Sequence, residues 1–153
     1  VNNIATAAWL YFWTHLQIAL AELMIVIQLV SLVIIHIRLD IHVASRHLLN
    51  KIFTQMPLSI YLGWISIATI ANTAVYLTSL KWNGWGIAPD AWTLIMIFIA
   101  VLLSFAMIFL RGNIFFGLVV VWALAGIFFR QHQSYYPLVD TTAIISFALI
   151  VWL

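Results

Sequence analysis

The 153-residue chain contains no cysteine, which excludes disulfides, thiolate nucleophiles and iron–sulfur ligation. Charge is nearly as scarce. Asp, Glu, Lys and Arg make up 7% of residues, against about 25% in an average soluble domain. Hydrophobic residues reach 66% and the mean hydropathy is +1.15, so the chain has too little polar surface to stay dissolved and reads as an integral membrane protein. The formal net charge of +2 gives no electrostatic footprint for nucleic acid. Enzyme motifs are also missing: there is no glycine-rich phosphate loop, no GxSxG, no HExxH and no carboxylate pair within one apolar run. The acidic residues Glu22, Asp40, Asp90 and Asp140 all lie near the ends of such runs, which argues against a proton relay. The expectation is a protein that is not an enzyme. No charged leader with a small-residue cleavage site opens the chain; it starts on Val1 and stops at Leu153 inside an apolar run, as the ordered part of a longer protein would.

What is present is a succession of apolar runs. Residues 4–37 as one helix would measure about 50 Å, far beyond the hydrocarbon core of about 30 Å. The polar cluster Thr14, His15, Gln17 therefore reads as a tight turn between a short leading helix and a full span. The expected spans are about 1–13, 19–37, 57–80, 92–110, 114–129 and 139–153, forming one membrane domain. That is an all-α, polytopic helical bundle of about five transmembrane spans plus a short leading helix. Segment 38–56 is the most polar and reads as a loop carrying a short amphipathic helix at the interface. Arg38, Arg46 and Lys51 there, with Arg111, outnumber Lys81 and Arg130 on the other side, so the positive-inside rule makes this loop cytoplasmic. Trp82, Trp85, Trp92 and Trp152 read as interfacial anchors, whereas Trp9, Trp13, Trp64 and Trp122 belong to the spans.

Few residues in the spans could carry recognition. Glu22 fits a first helical turn, where the helix dipole favours a carboxylate, or else an ion or ligand contact. His36 is the best-placed candidate axial ligand for a haem or chlorophyll-type group; the bland alternative is a hydrogen bond to a neighbouring carbonyl. His42 and His47 are five apart with no third ligand, so no metal site is expected. In 57–80, Ser59 and Gly63 form a small-xxx-small pair that admits another backbone. Trp64, Ala68, Ala71 and Asn72 follow at i, i+4, i+7 and i+8, on one helix face. An aromatic wall, a small-residue hollow and one amide suit either a pocket floor or close packing with Asn72 as interhelical glue.

At these residues the sequence resembles the translocator protein / tryptophan-rich sensory protein (TspO/MBR) family. The run PLSIYLGWISIATIAN places Tyr61-Leu62, Trp64, Ala68, Ala71 and Asn72 at the offsets of that family's last helix. The run beginning AAWLYFW places Trp9 on a Trp of its third helix, with Thr6 where the family has Asn. The resemblance covers about residues 1–80, and residues 92–153 read as added spans of a longer, divergent relative. It implies a pocket lined by Trp9, Trp64, Ala68, Ala71 and Asn72. The implied ligand is a small flat hydrophobic molecule, either a tetrapyrrole (haem, porphyrin or chlorophyll-type) or a sterol or lipid-like compound, to be bound, sensed or transferred. The expected partners are membrane lipids, that ligand, and a second copy or a larger membrane complex. The rival reading is a non-catalytic accessory subunit packing on partner helices, lipids or pigments. A transporter ranks third, since no span is broken by charge or Gly/Pro at its midplane.

Overall fold

A computed structural model of the chain describes residues 1–41, 48–131 and 148. In order, it contains α1 (Asn2–Thr14), α2 (Ile18–Arg38), the single turn α3 (Leu48–Asn50), a π-helical turn (Lys51–Gln55), α4 (Met56–Ser79), a 3₁₀ turn (Gly84–Gly86), α5 (Pro89–Arg111) and α6 (Ile114–Gln131). No strand occurs among the described residues. The helices Ile18–Arg38, Leu48–Ser79 and Pro89–Arg111 are each long and apolar enough to cross a membrane, and Ile114–Ile127 is a shorter apolar helix. The architecture is all-helical, as the composition requires. The expected last span at 139–153, with Trp152, and the residues His42, Arg46 and His47 lie outside the described residues.

The chain divides into two compact units, Val1–Trp82 and Asn83–Leu153. In the first, α2 packs on both α1 and α4. Its buried stripe Ala21, Ile25, Gln28, Leu32, His36 recurs every three to four residues, while Leu23, Val30, Ile34 and Ile37 on its other faces are exposed. In lipid this is a stable arrangement, because acyl chains solvate the outer apolar faces and polar atoms are drawn to the helix contacts.

The α1–α2 turn falls on the polar cluster. Leu16 takes φ 57°, and the amides of Leu16 and Gln17 reach back to Trp13 O (3.1 Å) and Phe12 O (2.9 Å). This is a Schellman closure with leucine in the left-handed position that glycine usually fills. Two further helices end alike: α2 with Asp40 at φ 43° and α4 with Lys81 at φ 53°.

The segment before α4 differs from expectation. The sequence reading gave 38–56 as a loop carrying a short amphipathic helix and began the span at Pro57, whereas one helix runs unbroken from Leu48 to Ser79. Proline inside an α-helix has no N–H and its ring crowds the carbonyl four residues back. The π-helical turn absorbs both problems by lengthening the local register, so that the Met56 amide reaches Lys51 O, five residues back.

In the second unit, the Trp92 indole N–H donates to Gly84 O at 2.9 Å, and Pro89 opens α5 in its first turn. Gly112, at φ 63°, ends α5, and the Asn113 side chain accepts the Phe116 N–H at 3.1 Å to start α6. The two helices then approach closely at Gly117, where an added Cβ would lie 2.8 Å from Ile108 Cδ1 and 3.3 Å from Ser104 Oγ.

Candidate functional site

Two levels of hydrogen bonds tie α1, α2 and α4 together. The first centres on the Tyr61 hydroxyl, which accepts from Asn2 Nδ2 (3.1 Å) and from Gln28 Nε2. Thr6 Oγ1 lies 3.0 Å from the same hydroxyl and donates its own proton to Asn2 O at 3.1 Å, so Tyr61 is the donor toward Thr6. A phenol offers one proton and two acceptor positions, and all three are filled. Ser31 Oγ, 3.0 Å from both Asn2 Oδ1 and Gln28 O, ties α2 into the same cluster. Gln28 is 1% exposed, and its Oε1 has no donor among the described residues.

The second level lies further along α4. Trp9 Nε1 donates to Asn72 Oδ1 at 3.2 Å, across 63 residues of sequence. Asn72 is buried, and its Nδ2 donates to Ala68 O at 2.9 Å, which holds the amide in one orientation. Next to it, Thr73 Oγ1 sits 2.7 Å from Glu22 Oε1 and 2.9 Å from Thr69 O. Glu22 thus lies past the first turn of α2 and joins α2 to α4; it does not serve the helix dipole. Its second oxygen is buried without a donor.

The residues singled out from sequence separate into two groups. Trp9, Ala68 and Asn72 come together through the bonds just described. Trp64, 46% exposed, and Ala71, also exposed, turn to the outer side of α4. The stripe is therefore a face of α4 whose one edge is sealed by α1 and whose other edge is open. Ser59 and Gly63 are both buried. His36 is buried, with Nδ1 3.0 Å from Leu32 O of its own helix.

Sequence reasoning missed Trp13. Its indole stacks on Trp9, with centroids 6.1 Å apart and planes 23° from parallel, so α1 carries a two-ring aromatic wall. The i, i+4 spacing of the two tryptophans was the available signal. It also missed Gln28 and Ser31, polar residues inside an apolar run. An open cleft of about 470 Å³ borders the Tyr61 cluster, lined by Val1, Asn2, Asn3, Ser31, Ile34 and Ile35. None of the residues predicted to bind ligand faces it. Among the described residues no group of three metal-ligating side chains is found.

Chemically, this arrangement offers flat aromatic surface, a small-residue face and oriented amide and hydroxyl groups. A family model described as TSPO-like protein matches residues 1–153. The match extends past the residues 1–80 that carry the resemblance, over the whole chain. Neither a curated protein nor a solved structure matches the chain.

Proposed function

We propose, from the premise that the chain belongs to the TSPO-like protein family and is a multi-pass membrane protein, that it binds a small flat hydrophobic molecule against α1 and α4. The observation that carries this reading is the Trp9–Asn72 bond. Indole is a large planar surface, and an indole whose N–H is engaged cannot rotate freely, so the face it offers is set before a ligand arrives. Ala68 and Ala71 leave room beside it, and Trp64 borders the open edge. The work is binding, sensing or transfer of the ligand, with no bond made or broken. A tetrapyrrole, sterol or lipid-like body would fit the chemistry. The basic residues Arg38 and Lys51 support placing the segment between α2 and α4 on the cytoplasmic side.

The test uses the full chain in detergent micelles, titrated with protoporphyrin while tryptophan quenching is followed. Trp9→Leu should weaken binding about tenfold, as loss of a stacking surface worth 1–1.5 kcal/mol would. Unchanged affinity would remove Trp9 from the site and the proposal with it.

A further inference from the structure

Asn72, the polar contact that sequence spacing assigns, already makes two bonds within the folded protein. Asn72 is buried, its oxygen holds the Trp9 indole and its nitrogen holds Ala68 O. The Trp9 N–H is engaged by the same bond. A further donor lies beside this pair. Trp13 is half-buried and its ring lies 6.1 Å from that of Trp9, while its indole N–H meets no acceptor among the described residues. Indole nitrogen donates and cannot accept. A donor at the margin of a fixed aromatic surface selects ligands by where they carry an acceptor.

We infer that Trp13 is a specificity-determining contact: it stacks with Trp9 to extend the wall and donates its N–H to a hydrogen-bond acceptor, a carbonyl, carboxylate or ether oxygen, on the edge of a flat apolar ligand. This rests on the binding reading above and narrows it. The ligand is not simply flat and greasy; it has an oxygen acceptor at its rim.

Two probes of nearly equal size separate the possibilities: 1-acetylpyrene, which carries a carbonyl acceptor, and 1-ethylpyrene, which carries none. Binding of each to the full chain in micelles is read by energy transfer from tryptophan to pyrene. The wild type should prefer 1-acetylpyrene about fivefold, the value of one net hydrogen bond. Trp13→Phe keeps an aromatic ring, removes the donor and should abolish that preference. A wild type with no preference overturns the inference whether or not the variant folds. A preference that survives in Trp13→Phe overturns it too, and assigns Trp13 to packing or to the lipid interface. If instead both probes bind and Trp9→Leu weakens neither, the binding reading fails, and the role of Trp13 falls with it. These three results are distinct.

Discussion

The Tyr61 hydroxyl is the point at which the first unit is most exposed to a single change. Tyr61→Phe removes one oxygen and leaves the ring in place, so packing is conserved. Three side chains lose their partner at once: Asn2, Thr6 and Gln28. Interhelical hydrogen bonds in membranes average about 0.6 kcal/mol each, which gives roughly 1–2 kcal/mol for the set. Gln28 raises this figure, because it is 1% exposed and its Oε1 already lacks a donor, so Tyr61→Phe strands its whole amide. An orphaned buried donor costs roughly 1–3 kcal/mol, bringing the expected loss to about 2–4 kcal/mol. Unfolding from mixed micelles by added SDS, followed by tryptophan emission, would measure it. The double variant Tyr61→Phe/Gln28→Leu gives the sharper check. Removing both partners leaves no stranded amide, so the double variant should be more stable than the sum of the singles predicts by about 1 kcal/mol. Strict additivity, or a Tyr61→Phe protein within about 0.5 kcal/mol of wild type, the range of ordinary surface changes, would refute the cluster.

Thr73→Val should cost roughly 1–3 kcal/mol by the same assay, because Glu22 Oε1 loses its donor beside an Oε2 that has none; Thr73→Ser, which retains the hydroxyl, should recover most of it. At the α1–α2 turn the sign reverses. Leu16 sits at φ 57°, so Leu16→Gly should stabilise the protein by about 1 kcal/mol through relief of left-handed strain, whereas Gly112→Ala at φ 63° should destabilise it by a similar amount. If Leu16→Gly destabilises instead, its side chain packs in a way the Schellman closure does not need.

The spans were legible because nothing else competes with a helix in a long apolar run. The limits of the helices were legible only where polarity changes. Thr14, His15 and Gln17 marked the first turn, but the residue that makes the turn, Leu16, carries no local signal, since leucine is not a left-handed residue by preference. The same holds for Lys81 at the end of α4. Pro57 was misleading for a definite reason: it obeys the rule for a first turn, and the π-helical turn before it supplies that rule's geometry inside a longer helix. The site was half legible. Spacing put Trp64, Ala68, Ala71 and Asn72 on one stripe, but a stripe nearly 100° wide has two edges, and only tertiary contact decides that Asn72 is sealed by Trp9 while Trp64 stays open. The bonds across 29 to 63 residues, Asn2 to Ser31, Gln28 and Asn2 to Tyr61, Glu22 to Thr73 and Trp9 to Asn72, have no signature in one sequence beyond a polar residue sitting in an apolar run.

Those long-range bonds do more than stabilise. Helices that are apolar on nearly every face have no hydrophobic reason to prefer one rotation over another in lipid, so their orientation must come from packing and from polar contacts. On α1, residues 2, 6, 9 and 13 lie at i, i+4, i+7 and i+11 and share a face. Tyr61 holds the first two, Asn72 holds the third, and helix geometry then fixes the fourth. A slip of one residue would turn the face by about 100° and carry both indoles away from α4. The orientation of the Trp9–Trp13 wall therefore depends on the cluster around Tyr61 as well as on Asn72. Loosening that cluster should weaken binding of a flat ligand without altering any residue at the wall, so Tyr61→Phe, measured with protoporphyrin at a temperature where the protein remains folded, should bind less tightly than wild type. Undiminished affinity in a destabilised but folded Tyr61→Phe would mean that Asn72 alone sets the wall.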